Sequence, residues 1–408
     1  MVVTSLNNHN FHDRRFSDHP LFWGFVIVIL LLAHYYLFTQ ISLFWAGSYI
    51  TAVWFVLGTS AVVSSFTAAR LGSLRPIMGN TTLQAVFNRF GSTWNIFIFQ
   101  TSLLLLLIQT IGRIFSPLAP EHAFSAAALA SFAICLYGLI EARSIVTLKL
   151  AMHTRALPPG RERLRIVQLS DLHIGPFMHV SHIARVIRET FNAMPDLVVI
   201  TGDVVDGNVG DGRATLPFYR PFSRVIAQLK AFSIEFGVWG VPGNHDYFEG
   251  FEGSRLFFKD AGINLLQTEK TDLGDIVLVG ADDRDHLTPS DGNPRITRSE
   301  ALLASLSEEE ERKFVLLLRH RPAVEDSTVG RFNLQLSGHT HGGQLFTLPS
   351  SRHRLPGKSR GFVSLGHGKS AKESWLYVSN GAGFVGPPMR FFSPAEIVVI
   401  DILRQHDE

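Results

Sequence analysis

The chain has 408 residues, 46% of them hydrophobic and 18% charged, and a formal net charge of +2. That length holds two or three domains. So small a charge, with no concentrated basic helix and no zinc-finger spacing, excludes nucleic acid as an expected partner. The single cysteine, Cys135, excludes an internal disulfide and a thiolate metal site.

The apolar excess lies mainly before Leu150 and most of the charge after it. Residues 1–20 read as a polar N-terminal tail on the cytoplasmic side. Four apolar segments follow within residues 21–141: Leu21 to about Phe44, Tyr49 to Ala69, Asn95 to Phe115, and Ala123 to about Ile140. Each approaches the ~20 residues that a helix needs to cross ~30 Å of hydrocarbon. The first is longer than a typical signal-peptide core, and more apolar segments follow it, so it reads as a retained helix. The third, with Leu103 to Ile108 uninterrupted, is the most apolar, and the Ala-rich fourth is the least. His34 is an ionisable group inside the first segment. With no mid-membrane carboxylate to pair with, it reads as a neutral imidazole bonded to another helix rather than a transport group.

Lys and Arg flanking the segments set the expected orientation. Arg14 and Arg15 precede the first; Arg70, Arg75 and Arg89 lie between the second and third; Arg143, Lys149, Arg155, Arg161, Arg163 and Arg165 follow the fourth; the link between the first and second has no Lys or Arg, and that between the third and fourth has Arg113 alone. The basic segments, Arg113 apart, decide the side. Four crossings put all of these on one side. The expectation is a multi-pass cell-membrane protein with its last domain in the cytoplasm, an assignment that depends on the fourth segment crossing. Residues 142–163 read as a basic linker.

From Leu164 short β-branched runs alternate with amphipathic stretches, the pattern of an α/β domain spanning residues 164–408. The strands expected are Arg165–Leu169, Leu197–Thr201, Gly237–Val241, Ile276–Gly280, Phe314–Leu318, Leu334–Ser337, Leu376–Ser379 and Ile397–Ile400. The helices expected are Val180–Phe191, Phe222–Phe232 and Ser299–Glu311. Chemistry-bearing residues stand where strands end. These are Asp171-Leu172-His173, Gly202-Asp203, Gly243-Asn244-His245-Asp246, His320, and Gly338-His339-Thr340-His341-Gly342-Gly343-Gln344. Ligand sites of α/β sheets collect beyond the carboxyl ends of strands. Taken singly, each cluster has an ordinary reading as a helix cap, a turn or a structural histidine. Together they supply carboxylate, imidazole and amide donors without sulfur, which suits Mn, Fe, Zn or Ni.

This order of motifs resembles the calcineurin-like metallophosphoesterase superfamily over roughly Leu164 to Leu403. The run from Gly338 to Gln344 and the tail Asn380-Gly-Ala-Gly-Phe-Val-Gly-Pro-Pro-Met-Arg390 are similar to its bacterial membrane-anchored branch, which includes proteins like the UDP-2,3-diacylglucosamine hydrolases. The resemblance implies two β-sheets packed together and flanked by helices. It implies two divalent metal ions. Asp171, His173, Asp203 and His341 would hold the first; Asp203, Asn244, His320 and His339 would hold the second. A shared carboxylate offsets the repulsion of two cations ~3.5–4 Å apart. The implied reaction is in-line attack on phosphorus by water activated at the metals, with His245 protonating the leaving oxygen. Asp246 is expected to orient that imidazole.

Arg319 and Arg321 flank His320 and could clamp a second phosphate, although surface charges on a loop are the plainer reading. Asp282, Asp283 and Asp285 surround Arg284 and read as a self-neutralising loop rather than a third metal site. Arg352, Arg354, Lys358, Arg360, Lys369 and Lys372 form a basic stretch suited to anionic headgroups, or merely a Gly/Ser-rich loop. The leading expectation is a membrane-anchored phosphohydrolase that cleaves a phosphate ester or anhydride of a lipid-linked or membrane-near substrate. The alternatives are a soluble nucleotide or phosphoprotein substrate, and a transport or sensing protein with a degenerate hydrolase domain. A full set of motif ligands argues against the last.

Overall fold

The computed structural model describes residues 20–44, 58, 81–175, 177–206, 216–231, 233–247, 251–283, 298–345, 360–367 and 372–406. The chain divides into two compact units, residues 1–63 with 94–131, and residues 64–93 with 132–408.

The first unit is helical. Three described helices are long and apolar enough to cross a membrane: α1 (Pro20–Phe44), α2 (Thr81–Ile114) and α3 (Pro120–Glu141). Proline fits the first helical position, where its missing N–H would have no partner anyway. Leu37 and Ile41 of α1, Ile98 and Leu105 of α2, and Ala123 and Ala127 of α3 form one buried cluster. Leu103, Leu106, Leu107 and Ile111 stay exposed on α2. A helix apolar on all sides suits a lipid solvent. Polar bonds join the helices as well. Tyr36 donates to Oε1 of Gln109 (2.9 Å), and Gln109 Nε2 donates to Oε1 of Gln40 (2.9 Å). His34 meets the Leu30 carbonyl through Nδ1 (2.8 Å) and accepts from the Trp94 indole at Nε2 (3.2 Å), as a neutral imidazole bonded to another helix would. The Ala-rich fourth segment is helical throughout, as α3. The expected segment Tyr49–Ala69, apart from Gly58, lies outside the described residues, as do residues 1–19.

The second unit is built on two six-stranded sheets. The first has the order β1-β12-β2-β3-β4-β5: β1 (Ile145–Thr154), β2 (Arg163–Leu169), β3 (Leu197–Thr201), β4 (Val238–Val241), β5 (Asn264–Leu265) and β12 (Ala395–Arg404). The second has the order β10-β11-β9-β8-β7-β6: β6 (Glu269–Asp272), β7 (Ile276–Ala281), β8 (Phe314–Arg319), β9 (Leu334–Ser337), β10 (Gly361–Gly366) and β11 (Ser374–Val378). The helices of the unit are α4 (Val180–Asn192), α5 (Leu216–Ala227), α6 (Phe251–Ala261), α7 (Arg298–Ala304) and α8 (Glu308–Arg312).

The strands read as continuous apolar runs because both of their faces are covered. Ile166, Val199, Val241, Leu278, Leu316, Leu336 and Ile400 meet between the sheets. Their neighbours Val167, Val198 and Ile200 point the other way, onto Ile183, Val186, Phe222, Ile226 and Phe258 of α4, α5 and α6. On the far face of the second sheet, Val277, Val315 and Leu317 pack under Leu303 of α7. Central pairings are parallel, β2 with β3, β3 with β4, β7 with β8 and β8 with β9. The carboxyl ends of these strands therefore gather on one side of each sheet.

Two expectations change. Residues 142–163 do not form a linker throughout, because ten of them form β1, which pairs in parallel with β12 from Ile145↔Ala395 to Thr154↔Arg404. Only Ala142, Arg143 and Ser144 separate it from α3. The helix expected over Ser299–Glu311 is two, because Ser307 caps α8. Ser307 Oγ accepts from the Glu310 amide, and the Glu310 carboxylate accepts from the Ser307 amide.

Candidate metal centre

Five strand ends supply the site. Asp171 and His173 follow β2, Asp203 follows β3, Asn244 and His245 follow β4, His320 follows β8, and His339 and His341 follow β9. Local backbone geometry aims them. Asp171 (φ +52°), His173 (+45°), Asp203 (+50°), His339 (+72°) and His341 (+51°) all adopt the left-handed region. For residues with a Cβ this costs of order 1–3 kcal/mol each and persists only where surrounding contacts impose it. Glycine makes room at the closest approaches. A Cβ on Gly202 (φ +85°) would lie 2.5 Å from Nδ1 of His320, and one on Gly338 would lie 2.2 Å from Oδ2 of Asp171.

Two ligand groups result. In the first, the Nε2 atoms of His173 and His341 lie 3.0 Å apart. Oδ1 of Asp171 is 3.4 Å from His341 Nε2, and Oδ2 of Asp203 is 3.7 Å from His173 Nε2. In the second, the same Oδ2 of Asp203 is 3.1 Å from His320 Nε2, and His339 Nδ1 is 3.2 Å from that nitrogen. One oxygen of Asp203 thus faces both groups. Its other oxygen, Oδ1, accepts the His245 amide at 2.8 Å. The Thr201 carbonyl 2.8 Å from Nδ1 of His320 fixes the ring so that Nε2 faces the site.

Charge follows from burial and neighbours. Burial opposes ionisation of Asp203, but the imidazoles of His320, His245 and His173 together outweigh it and hold that carboxyl well below its usual range. Burial also disfavours the charged form of His320, yet Asp203 raises it to about 10. Burial, reinforced by His245, lowers His173 to about 4; burial, reinforced by His173, puts His341 well below the usual imidazole range. Neutral imidazole is the form that ligates metal. Asp171 is raised to about 6, chiefly by burial.

The residues fit a pair of divalent cations. The donors are imidazole and carboxylate without sulfur. The groups Asp171–His173–His341 and Asp203–His320–His339 each bring their ligand atoms within 4.8 Å of one another. Asn244 is buried, and neither its Oδ1 nor its Nδ2 has a hydrogen-bond partner among the described residues. An orphaned amide in a buried polar cluster calls for a partner from outside the chain.

A model of the calcineurin-like phosphoesterase family matches residues 164–343, which contain every one of these candidate ligands. A metallophosphoesterase of Aquifex aeolicus is 34% identical over 65% of this chain and 95% of its own length. The chain belongs to the calcineurin-like phosphoesterase family. Its members hydrolyse phosphate esters at a dinuclear metal site. Other relatives are a metallophosphoesterase of Campylobacter jejuni, 32% identical over 60% of this chain and 61% of its own, and a zebrafish transmembrane protein with a metallophosphoesterase domain, 29% identical over 67% and 60%. The chain therefore spans about three fifths of the length of those two relatives.

Other expected residues of this phosphoesterase take different partners. The carboxylate on Nδ1 of His245 is Asp206, at 2.8 Å, and not Asp246. Asp246 is fully buried and accepts from the amides of Gly243 (2.8 Å), Val204 (3.1 Å) and Val205 (3.0 Å), so it braces the loop instead. Burial disfavours a charged His245, but Asp203 and Asp206 outweigh it and raise the ring to about 9. Asp206 follows Gly202-Asp203 by three residues, a repeat of carboxylates along one strand end that the sequence does offer as a signal. Arg319 is 3% exposed and pairs with Glu325 (2.7 Å). Arg321 pairs with Asp283 (2.9 Å). Asp282 accepts from the Tyr247 hydroxyl (2.6 Å). Arg284 and Asp285, with most of the basic stretch from Arg352 to Lys369, lie outside the described residues.

Proposed function

We propose that this phosphoesterase is a membrane-anchored hydrolase of a phosphate ester or anhydride whose substrate is carried by, or lies at, the bilayer. The observation that carries the reading is the double ligand group sharing Asp203. Two divalent cations bound there would supply Lewis acidity, offsetting phosphate charge and acidifying water. Asp171, His173 and His341 would hold one cation, and Asn244, His320 and His339 the other, with Asp203 common to both. His245, oriented by Asp206, would hold a proton at Nε2 for the departing oxygen.

The short tether supports a membrane-near substrate. Between the end of α3 at Glu141 and β1 at Ile145 the chain spans about 10–14 Å even if fully extended. Two further bonds lie within the second unit, to which residues 81–93 of α2 and 132–141 of α3 belong. The Arg390 amide donates to the Gly138 carbonyl of α3 (3.0 Å), and Arg89 of α2 donates to the carbonyls of Phe177 and Met178 (both 3.0 Å). A tether this short supports a substrate at the bilayer. If all four expected segments cross, the basic residues flanking them support a cytoplasmic domain. Labelling of a single cysteine introduced on α4, in a Cys135→Ala background and in intact cells, tests that side; ready labelling by an impermeant reagent contradicts it.

The substrate test is metal-loaded protein against lipid pyrophosphates and lipid phosphodiesters in mixed micelles, and against soluble nucleotides, with Asp203→Ala as control. The reading expects kcat/KM at least about tenfold higher for a lipid-linked compound, a difference of about 1.4 kcal/mol in transition-state stabilisation. Equal or better turnover of soluble nucleotides contradicts it.

A further inference from the structure

The tail from Asn380 to Arg390 lies beyond the family match and takes no part in the chemistry above. We infer that Arg390 is a positioning residue for the cation held by Asp171, His173 and His341, acting through the backbone of two of those ligands. The inference rests on the dinuclear reading of the site.

Arg390 is fully buried, and its guanidinium is spent on main-chain carbonyls. Nε donates to Gly383 (3.0 Å), Nη1 to Ser393 (2.9 Å), and Nη2 to Asn380 (2.9 Å), Gly381 (3.2 Å) and Gly383. No other side chain presents so many donors in one plane. The carbonyls it gathers belong to two arms. In the first, the Ala382 amide donates to the Ser170 carbonyl (2.8 Å) and the Gly383 amide to the Asp171 carbonyl (3.0 Å). The fit is close, since a Cβ on Gly381 would lie 2.7 Å from Cβ of Asp171. In the second, Ser393 Oγ donates to the His341 carbonyl (2.6 Å). Asp171 and His341 are both left-handed, so each needs an external hold, and these two arms supply it. One cation thus fixes the backbone of two ligands that face the same metal, from behind.

A simple fold-stabilising role would not discriminate between the two cation positions; this arrangement does. The hold falls directly on Asp171 and His341, and reaches the other position one step further on, through the His339 amide that donates to the Asp171 carboxylate (3.1 Å).

The test uses full-length protein in detergent. Cation binding is followed by calorimetric titration with Mn²⁺, and unfolding of the metal-free protein by thermal denaturation. The variants are Ser393→Ala, which removes one arm's bond, and Arg390→Lys, which keeps the charge but not the planar fork. Ser393→Ala is expected to weaken one of two binding steps by about 10–100-fold, as loss of an outer hydrogen bond to a metal ligand does. The other step and the melting temperature of the metal-free protein stay close to wild type. Arg390→Lys is expected to weaken the same step at least as much. Both steps unchanged in a folded Ser393→Ala protein, or both weakened alike, overturns the inference and leaves the dinuclear reading intact. A folded wild-type protein that binds no Mn²⁺ overturns both. Should Arg390→Lys fail to fold, Ser393→Ala alone decides.

Discussion

Oδ1 of Asp206 stands 2.8 Å from Nδ1 of His245, so the imidazole is held by a carboxylate that is itself outside both cation groups. The protonated ring is the donor form, and, against burial, Asp203 and Asp206 raise its pKa above the usual imidazole value. Activity that needs this donor falls as pH rises through the ring's pKa. Asp206→Asn removes one of the two carboxylates that raise the ring. The alkaline limb of the pH–kcat profile should therefore move to lower pH. Turnover of an ester with an alkoxide leaving group should fall by about 10–100-fold, within the usual range for general acid catalysis. A nitrophenolate ester, which leaves without help, should lose less. An unmoved limb denies Asp206 this role.

Asp246 serves the fold rather than the ring beside it. Asp246→Ala leaves the amides of Gly243, Val204 and Val205 without their acceptor in a buried loop. Each unsatisfied group costs about 1–3 kcal/mol, so a loss of about 3 kcal/mol or more is expected in chemical denaturation of the metal-free protein. Unchanged stability together with a shifted pH profile would return Asp246 to the orienting role that its place next to His245 suggests.

Arg321 is already paired with Asp283. Arg321→Ala should leave KM for a phosphodiester within about twofold, because the guanidinium is engaged with the buried carboxylate of Asp283 rather than held for substrate. A rise in KM of tenfold or more, with kcat preserved, would mean that the guanidinium leaves Asp283 for substrate.

Much of this site is legible in the sequence, for a definable reason. A ligand-bearing turn must follow a strand, and strands covered on both faces announce themselves as apolar runs such as Phe314–Leu318. What escapes is relational. His245 and Asp246 are neighbours in sequence, but they sit in a 3₁₀ turn that sends their side chains apart, and the carboxylate on Nδ1 of His245 comes from the β3 end instead. The strand β1 hides because it is one-sided: Leu148, Leu150 and Met152 face the core while Lys149, Ala151 and His153 face outward, so its charge reads as linker. The helix α6 hides behind Gly253, which lowers helix propensity; burial of Phe257 and Phe258 against the first sheet overrides that. The Asn380–Arg390 tail could be recognised as a motif, but nothing in a linear sequence indicates that its arginine grips carbonyls behind Asp171 and His341.

The central claim is a dinuclear site whose two halves share Asp203. Metal content and hydrolysis of a chromogenic phosphodiester, measured together on wild type and Asp203→Asn, test it most directly. Wild type should carry up to two divalent ions per chain, lose activity on chelation and regain it on Mn²⁺ addition. Asp203→Asn should remain folded, bind cations at least about 100-fold more weakly and lose nearly all turnover. A folded wild type that is active after exhaustive chelation, or an Asp203→Asn protein with full metal content and activity, would contradict the account.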